Sequence, residues 1–189
     1  MTKNPKWVKA LKDLANERRS LADVMTEVMT PPFHDDRTAA ILCSTKVEDG
    51  LLDLLKFHLR PADSKDDDNR LFGPTSPLGA HGTRIALCYR MRLIGQKTLD
   101  DLEAIRLIRN AFAHSRKSIW FTTPAIAEGC QRLTIVDRTS DLEGFAPLQS
   151  QSIDTPRERF ERAAYLYELG FLQRGAPGLT NALPEVPLD

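Results

Sequence analysis

Residues 98–114 read TLDDLEAIRLIRNAFAH, and the spacing of apolar side chains in this stretch decides the fold class. Each residue of an α-helix turns about 100° from its predecessor. On that wheel Leu102, Ile105, Ile108 and Phe112 make one apolar stripe, and Arg109 falls inside it, seven residues on from Leu102. Glu103, Asn110 and His114 share a flank at spacings of seven and four. Thr98 is the expected N-cap, and Asp100, Asp101 and Glu103 suit the positive end of the helix dipole. The pattern predicts a helix with Arg109 turned inward and a polar edge left for the surface.

Helical patterns dominate on both sides of this stretch. The apolar series Ala40, Cys43, Val47, Leu51, Leu54, Leu55 and Leu59 predicts a long helix from about Asp36 to Leu59, stopped before Arg60-Pro61. Glu48 lies among these apolar residues, away from the polar face of Thr45, Lys46, Asp49, Asp53 and Lys56. A carboxylate and a guanidinium that enter a core unpaired are each strongly destabilising. The economical expectation is a buried ion pair between Glu48 and Arg109. PADSKDDDNR has no periodicity and reads as an acidic loop, and GPTSPLGAHG reads as a second breaker-rich segment. A helix follows at about Thr83 to Ile94, with Gly95 as its C-cap.

Beyond His114, SIWFTT and LTIVD suggest short extended segments near 118–137, with a helix start at Thr123-Pro124 between them. Thr155-Pro156-Arg157-Glu158 has the form of a capping box opening the last helix, and Gly170 is its expected end. At the other end, Trp7, Leu11, Leu14, Leu21, Met25 and Val28 keep a 4-3 spacing interrupted by Arg18. The organisation expected is an N-terminal amphipathic arm over 1–30, a helical domain over 31–173 and a loose tail over 174–189. The fold class is all-α, a compact multi-helix bundle.

Composition narrows the functions. Lys and Arg number 26, and so do Asp and Glu. The chain therefore lacks the basic excess by which proteins that grip duplex DNA neutralise phosphates, and direct DNA binding is not expected. The cysteines Cys43, Cys88 and Cys130 are odd in number, widely spaced and set among apolar residues. That predicts buried thiols in a reducing cytoplasm rather than disulfides or a zinc site. No cofactor or metal is expected. No run of 18 apolar residues occurs, so no membrane span is expected either.

The Arg109-Asn110-His114 group admits two readings. A His can move a proton and an Arg can stabilise a crowded phosphate, which is the equipment for metal-independent RNA cleavage. Residues five apart on a regular helix point roughly 140° from each other, so Arg109 and His114 converge only at a frayed end or between two subunits. In the other reading, Arg109 is paired internally while Asn110 and His114 satisfy backbone at the helix end.

Three segments, DDRTAAILCSTKVEDGLLDLL, LFGPTSPLGAHGTRIALCYRMRLIG and TLDDLEAIRLIRNAFAHS, resemble the mannitol operon repressor family over roughly residues 35 to 135. The resemblance implies an all-helical transcriptional regulator. No helix-turn-helix with an Arg-rich second helix is evident, so protein–protein contact is the expected route of regulation. RNAFAH also resembles the R-x-x-x-x-H signature of HEPN-type ribonucleases, which place that motif at a dimer cleft. That resemblance implies Arg109 and His114 as catalytic residues supported by Asn110, acting on RNA. A protein partner, or a homodimer, would meet the Glu103, Asn110 and His114 edge or the Trp7, Leu11 and Leu14 stripe.

Overall fold

The computed structural model describes residues 35–139, 153–175 and 186–188. The arm over 1–30, with Trp7, Leu11 and Leu14, lies outside them. Among the described residues the chain is all-α, with no strand. The helices in order are α1 (Asp36–His58), α2 (Lys65–Phe72), α3 (His81–Arg90), α4 (Gln96–His114), α5 (Pro124–Gln131), the single turn α6 (Ile135–Arg138) and α7 (Pro156–Gly175). None is long and apolar enough to cross a membrane.

Local chemistry explains several boundaries, including one that the periodicity misses. The Asp35 carboxylate caps α1 by accepting from Thr38 N at 2.9 Å. The acidic segment expected to be a loop is the helix α2. Ser64 Oγ accepts from Asp67 N at 3.1 Å, and Asp66, Asp67 and Asp68 sit in the first turn, where the helix dipole favours them. Lys56 Nζ then holds Asp68 at 2.7 Å. Gly95 is the N-cap of α4 rather than the C-cap of α3, and Thr98 is buried inside the first turn instead of capping it. The capping box of α7 is reciprocal: Glu158 N donates to Thr155 Oγ1 at 3.2 Å, and Thr155 N donates to Glu158 Oε2 at 2.8 Å.

Two expectations near the end of the chain are corrected. Gly170 does not end its helix, which runs on to Gly175. A Cβ at Gly170 would stand 3.0 Å from Leu188 Cδ2 and 3.1 Å from Val186 Cβ, so glycine leaves a notch for the tail. Val186 and Leu188 are fully buried there, and Gly95 N donates to Leu188 O at 2.7 Å. The tail expected to be loose is thus docked at 186–188.

Packing centres on α1 and α7, which run together over most of their lengths, while α4 packs against α1, α3 and α5. Gly50 permits the close approach of α1 to α7, since a Cβ there would meet Phe171 Cδ2 at 3.2 Å. Phe112 of α4, Phe121 of the following turn and Phe160 of α7 form a continuous aromatic row, with ring centroids 5.0 and 5.2 Å apart. Buried aromatic and aliphatic side chains of this kind each contribute about 1.5–3 kcal/mol.

The segment LTIVD, expected to be extended, is drawn into the turn α6 by Asp101. This carboxylate is fully enclosed within α4. It accepts from Thr134 N and Ile135 N, both at 2.9 Å, from Thr134 Oγ1 at 3.1 Å and from Tyr167 Oη at 2.6 Å. Arg138 Nη2 stands 3.7 Å away. Asp101 therefore caps a different helix from its own and ties α4 to α6 and α7. Replacing Asp101 by Ala is expected to lower stability by about 3–5 kcal/mol, because two amides and the Tyr167 hydroxyl lose their acceptor in the interior and Arg138 loses a nearby counter-charge. Tyr167→Phe should cost about 1 kcal/mol. Urea unfolding of the two variants checks the order, and equal midpoints would contradict it.

Candidate functional site

The helix that carries the motif presents its two halves differently. Arg109 is half-buried, and its Nη1 donates to Asn110 Oδ1 at 3.3 Å. His114 is the last residue of α4 and is exposed. No hydrogen bond or ion pair links Arg109 to His114 among the described residues. Glu103 is held on its own helix by Arg106, whose Nε and Nη2 donate to Glu103 Oε2 at 2.9 and 2.7 Å.

The expected Glu48–Arg109 ion pair is corrected. Glu48 is bonded by Arg84, whose Nη1 donates to its Oε1 at 3.2 Å. Arg84 comes from α3 and is itself buried, with Nε donating to Leu78 O at 2.7 Å and Nη2 to Gly79 O at 3.1 Å. Those two carbonyls hold the guanidinium in place beside Glu48. Arg109 still contributes through space. Burial raises the Glu48 carboxyl above its ordinary range, and the charges of Arg84 and then Arg109 oppose that rise. The Glu48 side chain is 29% exposed, so the pair is half-buried rather than sealed.

His81 completes this cluster. Its Nδ1 lies 3.9 Å from Glu48 Oε2. Burial, followed by the positive charges of Arg84, Arg106 and Arg109, lowers its pKa from 6.5 to about 4. His81 is therefore neutral near pH 7. The structure thus brings together Glu48, His81 and Arg84, with Arg106 and Arg109 close enough for their charges to register. His114 is left outside.

Two residues that periodicity did not single out matter here. Arg84 shares a helical face with the buried Cys88, four residues on, and that spacing marks it as inward-facing. Leu107 lies four residues after Glu103 and three before Asn110, and it is 59% exposed. The stripe Glu103, Leu107, Asn110 and His114 therefore has a large apolar side chain near its middle.

The three cysteines are buried free thiols, and burial pushes each up to about 12, which keeps them protonated. Among the described residues no three His, Cys, Asp or Glu side chains are placed to hold a metal ion. Comparison with protein-family models, with curated proteins and with solved structures returned no match.

Two outcomes follow from this geometry. In double-mutant cycles the Glu48→Gln and Arg84→Met pair should couple by about 1–2 kcal/mol, and Glu48→Gln with Arg109→Met by less than about 0.5 kcal/mol. A reversed order would restore the Arg109 pairing. The depressed pKa of His81 means that the unfolded chain binds a proton between pH 6.5 and about 4 while the folded chain does not. Stability present above pH 6.5 is therefore lost as pH falls through that window, by about 3 kcal/mol. Glu48, with its raised pKa, acts oppositely, contributing stability at low pH that is lost as pH rises through its folded value. Chemical denaturation of wild type and His81→Gln at pH 7 and pH 4.5 isolates the His81 part, and the variant should show the flatter profile.

Proposed function

We propose that this chain is a regulatory module of the mannitol-repressor type, acting through contact with a protein partner rather than by reading DNA. The observation that carries this reading is the exposed stripe on α4. Leu107 supplies apolar area, and Glu103, Asn110 and His114 surround it with hydrogen-bonding groups. An apolar anchor within a polar rim, on a helix whose other face is fixed in the core, is the anatomy of a protein-binding hot spot. Balanced charge across the chain fits the same reading, since it offers no general attraction to a phosphate backbone.

A metal-independent ribonuclease of the HEPN type is the second reading, and one observation favours it. Because Arg84 takes Glu48, Arg109 is not tied up in that pair and instead meets Asn110 at the edge of the same stripe. His114, exposed at the helix end, would take the ribose hydroxyl proton while Arg109 stabilises the phosphate. Their divergence on one helix would require a second copy to complete the site.

In cells of the source organism, Leu107→Asp is expected to reproduce the transcript changes caused by deleting the gene, with its unfolding midpoint unchanged. The purified chain should give no footprint on the promoters affected. A sequence-specific footprint from the chain alone would overturn the regulatory reading in favour of direct DNA binding. Incubation with single-stranded RNA in EDTA tests the second reading: cleavage lost in a folded His114→Ala variant would establish it, and intact RNA would remove it.

A further inference from the structure

The end of α3 carries a feature that neither the α4 stripe nor the Glu48 cluster uses. The helix closes in a Schellman motif: Leu93 N donates to Cys88 O, and Arg92 N donates to Tyr89 O, both at 3.0 Å. The residue that turns the chain there must take the left-handed conformation, a position at which glycine is the ordinary occupant. Here it is Arg92, with φ of 59°, the only non-glycine residue with positive φ among those described. An arginine at this position works against the local backbone preference, and such outliers concentrate where a side chain is needed for function.

Arg92 lines a cleft of about 590 Å³, within the size range of small-molecule sites. Arg90 lines it from the last turn of α3, and Arg174 enters from α7, anchored by a 3.0 Å bond from its Nη1 to Leu93 O. Tyr89, Ile94 and Leu188 supply apolar surface, and no carboxylate is among the lining side chains described. The Arg90 and Arg92 side chains make no hydrogen bond or ion pair among the described residues. Attraction to the negative end of α3 accounts for Arg90 alone. It does not account for Arg92, which lies beyond the helix.

We propose that this cleft binds a small organic phosphate. Arg90 and Arg92 grip its phosphate, and its flat or apolar portion lies against Tyr89, Ile94 and Leu188. Guanidinium groups present paired donors that match phosphate oxygens. The two whose side chains make no bond among the described residues, Arg90 and Arg92, stand together with no carboxylate among the described lining residues, which favours a compact, multiply charged group. An exposed tyrosine ring on the wall suits a planar substituent. Because Leu188 forms part of the wall, occupancy also holds the docked tail in place. This inference does not rest on the regulatory reading, since it uses none of the same residues.

Calorimetric titration at low ionic strength with inorganic pyrophosphate and with adenosine monophosphate tests the proposal on the full chain. Both should bind saturably, and Tyr89→Ala should weaken the nucleotide more than pyrophosphate. The decisive variant is Arg92→Gly, which suits the left-handed turn better than the natural residue. It should keep or raise the unfolding midpoint while weakening both ligands by about tenfold or more. The proposal is overturned if wild type binds neither probe, if Arg92→Gly binds as well as wild type, or if that variant lowers the midpoint. It is equally overturned if a short single-stranded RNA binds through Arg90 and Arg92 while both small probes fail, since the surface would then serve nucleic acid.

Discussion

A carboxylate can leave water for the interior only when the donors it gives up are replaced. Asp101 meets that condition through two backbone amides, a threonine hydroxyl and a tyrosine hydroxyl, with a guanidinium close by. Each donor belongs to a segment distant in sequence, so satisfying one side chain fixes the relative positions of α4, α6 and α7. The consequence reaches Tyr167, whose hydroxyl is pushed far above the ordinary phenolic range by burial and by the Asp101 charge. It therefore remains a donor at any pH the fold tolerates. The polar hub and the aromatic row of Phe112, Phe121 and Phe160 are complementary: the row excludes water and supplies area, while the hub selects one arrangement of the helices around it.

The second charged group follows a different logic. Glu48 is only half-buried and keeps some access to water, so its pairing with Arg84 supplies direction more than net stability. Two carbonyls from the turn before α3 orient Arg84, which couples the entry of α3 to the middle of α1. His81 is held neutral beside this pair by its burial first and then by the guanidinium groups of Arg84, Arg106 and Arg109. The uncharged imidazole adds no further positive charge to the three guanidinium groups near it.

Most helices were legible in the sequence because their apolar stripes are long and their caps strong. The Thr155 to Glu158 box and the proline at 124 marked starts that the structure reproduces. Legibility failed where tertiary partners override periodicity. The segment after Ser64 has no apolar stripe, and it is a helix because of its cap and its dipole-matched aspartates. LTIVD alternates like a strand, yet a buried carboxylate caps it into a turn of helix. Gly170 looked like a terminator because a wheel cannot reveal that a tail will occupy the notch above it. On α4 the inward aim of Arg109 holds only in part, since it is half-buried, and the apolar stripes of α1 and α4 alone do not reveal that Glu48 pairs with Arg84 of α3. Asp101 carried a readable signal, since it stands four, seven and eleven residues before Ile105, Ile108 and Phe112 and so heads the same stripe.

The pairing of α1 with α7 also constrains how the chain is made. Asp36 at the start of α1 bonds Arg157 near the start of α7 across 121 residues, at 3.2 Å. On a ribosome, α1 emerges long before the helix that covers it. Until then α3 and α4 can cover part of α1, but the face that α7 covers stays open, and nascent chains halted ahead of residue 156 present an incomplete bundle. Final closure waits for translation to deliver the last helix, a delay imposed by topology rather than by any slow chemical step.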